Sequence, residues 1–383
     1  MNAEQQATTD DPTTYDFEAD GIYYKIMVDA EVHDGPYLEV SSRLTEDEQL
    51  TSWNLNFYKG DIVIPDSVFV EQLNRRLPVK TIRPLAFYNM EESLYSVTLP
   101  PTLTKIGELA FFNCAYLKSI DMHSTQVRVI PKSMCSKCFS LSRISMPEGL
   151  TEIGTLAFFN CFFRNDLTIP ESVIRIGVFA FADNMFLTSF RMSKSLKRIE
   201  SGALCGYDLE HIEWRSDSLE YIGSCPFNTK DSVIVLPKTI RYIGMNLDAT
   251  DLRELICKAD DPALIELEDD AFSLIDTEAC SLFVPAESVE LYRNAPQWCE
   301  FSHIAPIEQS GTDSVEHDNG VSVSASEGVL TVSSSSAASV SVYDVNGRRA
   351  TGGTVCGKAD YRVSPGIYLV TVGNSRCFKI SVK

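Results

Sequence analysis

No run of about 18 apolar residues occurs in the 383-residue chain, so no helix is expected to span a membrane. Histidine is scarce. The five stand at 33, 123, 211, 303 and 317, without an H-x-H or H-E-x-x-H spacing, which disfavours an imidazole metal centre. Positive charge is also short, 33 Lys and Arg against 53 Asp and Glu, for a net charge of −20. An acidic surface repels phosphate backbones, so nucleic acid is not an expected partner. The glycines form no G-x-x-x-x-G-K cradle for a phosphate. No acid, base and nucleophile converge on a recognisable set, so the expectation is no enzyme, no catalytic residue, no metal and no cofactor. The first residues, MNAEQQATTDDPTTYDFEADG, carry neither a basic start nor an apolar stretch, and do not read as a signal peptide.

What the chain has instead is repetition. Residues 106–114 read IGELAFFNC, and residues 153–161 read IGTLAFFNC. Aligning on that isoleucine gives Ile82, Ile106, Ile130, Ile153, Ile176, Ile199, Ile222 and Ile243, in steps of 24, 24, 23, 23, 23, 23 and 21. A remnant, LEDDAF, begins at Leu267. Before each isoleucine lies a short alternation such as LYSVTLP (94–100), LSRISMP (141–147) or LTSFRM (187–192). Apolar residues at every second place describe a strand with one buried side. A unit of 23 residues cannot bury that side alone, so stacking is required, with each strand parallel to the next at about 4.8 Å. The pattern predicts a solenoid of roughly ten coils with a parallel sheet on one face. FVEQLNRRLP (69–78) reads as an insertion, and the 21-residue step before Ile243 as a shortened coil.

The full pattern, L-x-x-I-x-[LM]-P-x-x-[LV]-x-x-I-G-x-x-A-F-x-x-[CN], resembles the BspA-like leucine-rich repeats of Bacteroidetes surface proteins. The likeness covers about residues 61–308. YDFEADGIYYKI resembles the start of the same family. LFVPAESVELYRNAPQWCEFSHIAPI (282–307) looks like its closing segment, with Tyr292, Trp298, Phe301 and Ile304 capping the open end of the stack. The resemblance implies an extracellular or outer-surface location and adhesion to a protein or glycan of a host or neighbouring microbe.

Eleven cysteines are present. CSKC at 135–138 invites a redox reading, but Cys138 falls in the column of Cys114 and Cys161, and Cys135 in that of Phe111 and Phe158. Both are core slots, where cysteine acts as a small hydrophobe. Cys205 and Cys225 fall in or beside such columns as well.

Residues 309–320, QSGTDSVEHDNG, are polar and read as a linker. Beyond them GVLTVS, SVSVYDV, IYLVTV and CFKISVK alternate like strands, with turn signals at Asn346-Gly347 and Ser364-Pro365-Gly366. The expected organisation is a tail (1–11), a small β cap (12–60), the solenoid with its end cap (61–308), the linker, and an immunoglobulin-like all-β sandwich (321–383). VYDVNGRR, SPGIYLVTV and KISVK resemble the C-terminal sorting domain of type IX secretion substrates. Cys356 and Cys377 are the disulfide candidates, provided that their strands are neighbours.

On the open side of the strands, two columns flank each inner residue. Ser96, Ser119, Arg143, Asp166, Ser189 and His211 belong to one; Thr98, Asp121, Ser145, Thr168, Arg191 and Glu213 belong to the other. Arg143, Asp166, Arg191, His211 and Glu213 are the candidate ligand-binding residues. The alternative is a spacer or scaffold with no ligand on this face. Val233, Val235 and Ile256 make the last coils apolar and are expected beneath the cap.

Overall fold

A computed structural model describes residues 15–28, 35–51, 57–164, 167–307, 315–318, 321–326, 328–344, 348–364, 366–372 and 376–382. The chain divides into two compact units, residues 1–306 and 307–383.

The first unit is a β-solenoid of about ten turns. Ile82, Ile106, Ile130, Ile153, Ile176, Ile199, Ile222 and Ile243 are all at most 3% exposed, so the aligned isoleucines form one buried column. Five residues on, Phe87, Phe111, Phe158 and Phe181 form a second. Phe87 and Phe111 stack at 4.8 Å, Phe158 and Phe181 at 5.4 Å. Cys135 stands between these two pairs, and its coil carries Met134 where its neighbours carry Ala110 and Ala157. The larger methionine offsets the volume lost with the ring.

Each coil passes through the left-handed backbone region, the coils from Ile82 to Ile199 twice and the later ones once. The third residue after the core isoleucine does so at Leu85, Leu109, Ser133, Leu156, Phe179 and Cys225, with φ between 48° and 62°. The seventh does so at Asn89, Asn113, Lys137, Asn160 and Asp183. Asparagine tolerates this conformation better than most side chains, which accounts for the N of AFFNC. The glycine after the isoleucine has a different cause. A Cβ on Gly177 would lie 2.6 Å from the Thr155 nitrogen, so the coils touch backbone to backbone there.

The strand face is built in three pieces. Gly60–Val63, Leu94–Thr98, Ser119–Asp121 and Arg143–Ser145 form the first; Ser189–Arg191 and His211–Glu213 the second; Val233–Leu236, Glu254–Cys257, Ser281–Val284 and His303–Pro306 the third. All pair in parallel, and the register matches the sequence columns: Ser96 faces Ser119, Arg143 faces Ser119, Arg191 faces Glu213 and Val235 faces Ile256. Between the first and second pieces, residues 165 and 166 lie outside the described residues. Leu117, Leu141 and Leu187 fill the same buried slot in their coils. In the coil between the last two, Phe163 enters the core one position early, packed on Phe158 and Phe181, and Arg164 takes the leucine place outside. Leu167 and Ile169, the next apolar residues of this coil, still pack against the core.

A second parallel sheet runs through the IG segments. Val129–Ile130, Glu152–Ile153, Arg175–Ile176, Arg198–Ile199, Tyr221–Ile222, Tyr242–Ile243 and Glu266–Leu267 form a seven-strand ladder. It does not pair with Lys105–Ile106. Pro131 occupies the glycine place of its coil and brings no N–H to the ladder.

At the amino-terminal end, Phe17–Ala19, Ile22–Met27 and Tyr37–Val40 form a small sheet that continues in parallel into Arg75–Ile82 of the first coil. The insertion is a hairpin, Ser67–Val70 antiparallel to Arg75–Ile82, with Asn74 left-handed at its turn. At the other end, the helix Val289–Asn294 sets Tyr292 against Trp298, whose ring packs on Phe272, and Tyr292 donates its hydroxyl to the Ala259 carbonyl at 3.0 Å. This cap covers the end of the stack and not the strand face. The expectation for Val233, Val235 and Ile256 is therefore corrected: Val233 is 37% exposed, and Val235 and Ile256 are half-buried in the open column.

The second unit is all-β. Val315–Asp318, Val321–Ser326, Val329–Asp344, Gly366–Val372 and Arg376–Val382 are neighbours in that order, and Arg349–Arg362 pairs with Val329–Asp344. Val323, Val332, Val340, Val342 and Val370 form its core. Two expectations change. Val315–Asp318, placed in the linker, is a strand of this sheet. GVLTVS and SVSVYDV lie in one 16-residue strand, with a register shift between Ser334 and Ala338. Residues 1–11, the Asn346-Gly347 turn and Pro365 lie outside the described residues.

Candidate binding face

Among the candidate residues, the structure brings Arg191 and Glu213 together. They sit on adjacent parallel strands in one column, Nε to Oε2 at 3.0 Å, and both side chains are about half exposed. Glu213 also takes Arg215 at 3.3 Å, and Arg215 reaches Glu171 at 2.5 Å. The result is an alternating chain of four charges, Arg191–Glu213–Arg215–Glu171, laid across neighbouring coils. The Lys194 backbone N–H and then Arg215 hold the Glu171 carboxyl below the usual glutamate range. Arg215 is only 14% exposed in its side chain, so its pairing is better shielded from solvent than that of Arg191.

His211 lies on the same strand as Glu213, in the other column. Its Nδ1 is 2.8 Å from Asp231 Oδ1, and Asp231 is buried. Asp231 Oδ2 accepts from the Ile212 backbone N–H at 2.7 Å and the Thr229 hydroxyl at 3.2 Å. These bonds orient the imidazole and leave most of its ring in solvent, at 63% side-chain exposure. Ser189 is the cross-strand neighbour of His211. Serine, histidine and aspartate thus lie close together on an open sheet.

Arg143 is exposed on the last strand of the first sheet piece, which is separated from Arg191 by the irregular coil around Phe163. It does not join the four-charge chain. Asp166 lies outside the described residues. The Cys356–Cys377 pairing lacks its condition. Cys356 is free and exposed, and two strands separate its strand from that of Cys377, whose side chain lies outside the described residues. Cys225, placed in or beside a core column, is exposed.

Beside the strand face runs a ridge that the sequence columns did not single out. Tyr116, Phe139, Met185 and Phe186 are 52%, 46%, 52% and 38% exposed. Phe186 meets Phe162 at 4.4 Å between ring centroids, and Arg164 lies over both rings at 5.3 and 5.5 Å. A signal for it does exist: the one or two residues after the Cys or Asn column are aromatic or methionine in four consecutive coils, as AY, FS, FF and MF.

The second sheet carries side chains that are satisfied among themselves. Arg175 pairs with Glu152 and Glu200, Arg198 pairs with Glu200 and covers the Tyr221 ring at 3.8 Å, and Tyr221 stacks on Tyr242 at 4.4 Å. Tyr242 donates to Glu268, which also accepts from the Ser224 hydroxyl and the Met245 N–H. Among the described residues no group of His, Cys, Asp and Glu is arranged to hold a metal ion. No helix of the structure is long and apolar enough to cross a membrane.

The profile of the family described as BspA type leucine rich repeat region matches six copies over residues 66–165 and 157–275, more than half of the chain. Among solved structures, the chain is similar to a leucine-rich repeat protein from Bacteroides ovatus ATCC 8483, at 20% identity over 76% of this chain and 77% of that one, TM-score 0.46. It is also similar to a leucine rich cell surface protein from Faecalibacterium prausnitzii A2-165, at 18% identity over 79% and 97%, TM-score 0.27. A third similarity is to the T. pallidum leucine rich repeat protein TpLRR, at 17% identity over 61% and 78%, TM-score 0.28. No curated protein matches the chain.

Proposed function

The chain belongs to the BspA-type leucine-rich-repeat family, and from that premise we propose that it is a non-enzymatic binding protein of the cell surface, whose strand face and flanking ridge hold a protein or glycan of a host or neighbouring microbe. One observation carries this reading. The four-charge chain from Arg191 to Glu171 and the exposed ridge from Tyr116 to Phe186 lie on consecutive coils of one rigid array. Exposed aromatic and arginine side chains on a fixed support are the groups that dominate binding energy at protein interfaces.

The test is equilibrium binding of the folded chain to a panel of extracellular-matrix proteins and glycans. Against a ligand found in this way, the triple variant Arg143→Ala, Arg191→Ala, Glu213→Ala and the double variant Phe139→Ala, Phe186→Ala are each expected to weaken affinity about tenfold or more, as loss of a hot-spot residue typically does. Unchanged affinity in both variants would remove this face from consideration. A spacer role is favoured by one specific feature, the pairing of Arg191 with Glu213, which leaves neither charge alone. Failure of the whole panel to bind would select that role.

For the second unit, we propose recognition by a type IX export machinery, on the resemblance of VYDVNGRR, SPGIYLVTV and KISVK to its sorting domains. In a host exporting through that system, deletion of residues 321–383 is expected to leave the chain inside the cell envelope, out of reach of protease added to intact cells. If the truncated chain still reaches the outside, the proposal fails.

A further inference from the structure

The core slots filled by cysteine form a cluster. Cys114, Cys138 and Cys161 stand in one column on successive coils, with Cys135 beside them, and all four are at most 3% exposed. Each thiol of the column donates to a carbonyl in a preceding coil: Cys114 to Phe87 at 2.9 Å, Cys138 to Phe111 at 3.0 Å and Cys161 to Cys135 at 3.1 Å. Burial pushes the Cys114, Cys135 and Cys161 thiols up. At Cys138 burial acts the same way, and the neighbouring Cys114 and Cys135 thiols pull against it.

The turn from Cys135 to Cys138 closes with a hydrogen bond, Cys138 N–H to the Cys135 carbonyl at 3.3 Å, and Lys137 is left-handed within it. Such a four-residue turn holds its end Cα atoms within about 7 Å, a separation that overlaps the range a disulfide spans. Both side chains are fully buried. We propose that Cys135 and Cys138 are a cross-linking site, closed to a disulfide during folding by a disulfide-bearing oxidant of the glutathione class. The Cys138 thiolate attacks one sulfur of the oxidant and expels a glutathione thiolate. The Cys135 thiolate then displaces the second glutathione from the mixed disulfide, so two protein thiols become one S–S bond and two glutathione thiols form. Burial then shields the bond from exchange. The product is a staple within one coil and not a cycling redox centre, which keeps it compatible with the core role of these slots.

The experiment refolds the full reduced chain in a glutathione buffer with oxidised glutathione in excess, followed by alkylation under denaturing conditions. Relative to the reduced chain alkylated in the same way, the expected product lacks the alkyl groups of Cys135 and Cys138. Trypsin cleaves after Lys132, Lys137 and Arg143, so the bond should join the peptides SMCSK (133–137) and CFSLSR (138–143). The Cys114→Ala chain is expected to give the same linked pair, and the Cys138→Ala chain none. A map linking Cys114 to Cys138, or eleven alkylatable thiols in the refolded wild-type chain, overturns the proposal. Both readouts are taken on the wild-type chain and hold whether or not a variant folds.

Discussion

Phe158→Ala is expected to destabilise the first unit by about 4 kcal/mol, the middle of the range for removing a buried phenylalanine. The readout is a lower urea midpoint of the residue 1–306 unit at unchanged slope. Phe158 is fully buried, with Phe163 and Phe181 each at 5.4 Å between ring centroids. Its own N–H and carbonyl are bonded across the coil, to the Ala180 carbonyl and from the Asn184 side chain. The ladder on both sides keeps the coil from collapsing into the void, and unrelaxed cavities are the costly ones. The molecule also suggests its own compensation. The preceding coil replaces Ala-Phe by Met134-Cys135 in the same two slots. Phe158→Cys combined with Ala157→Met is therefore expected to recover part of the stability lost in Phe158→Cys alone. No recovery would sink the account in which volume within one coil is conserved.

Trp298→Ala should cost about as much locally, roughly 3–5 kcal/mol, but the damage should lie elsewhere. Trp298 is 1% exposed and packs on Phe272 at 4.8 Å and Tyr292 at 5.0 Å. Beside it, the Gln297 side chain accepts from Ala271 N–H at 3.0 Å and donates to the Glu268 carbonyl at 2.9 Å, closing backbone groups that the last coil would otherwise leave open. In a stacked array each coil contacts only its neighbours, so losing a cap frays one end. Amide hydrogen exchange is expected to accelerate around Leu247–Phe272 while Ile106–Ile153 keeps its protection. In Phe158→Ala the order reverses. Uniform loss of protection in both variants would mean that the stack unfolds as one block.

The stack itself was legible because its signal is redundant. Eight isoleucines at nearly constant spacing fix the period, and the strand alternation fixes the face, so Ser96, Ser119 and Arg143 could be aligned, as could Arg191 with Glu213. The second sheet was not legible. Its strands contribute two residues each, too few to show alternation, and KI, EI and RI read as part of a turn. The entry of Phe163 into the core was hidden for a related reason: the repeat keeps its length there while the buried residue moves by one, from the leucine place now held by Arg164 to Phe163. The left-handed positions escaped as well, since leucine at Leu85, Leu109 and Leu156 gives no local hint of that conformation and the stacked neighbours impose it. Cys356 and Cys377 could not be judged without strand order, because adjacency in a sheet is a long-range property.

The left-handed residue three places beyond each core isoleucine is leucine, serine, phenylalanine, glycine, cysteine, asparagine or aspartate from coil to coil. The chain's path through that corner is thus indifferent to the chemistry displayed on it. Substitutions can accumulate on the rim without moving the graduations, so the array works as a ruler with fixed tick marks and changeable lettering. Where the corner residue is exposed, as at Phe179, Cys225 and Asp270, a partner lying along it meets side chains at multiples of about 4.8 Å, and selectivity can drift from one partner to another while the spacing stays constant.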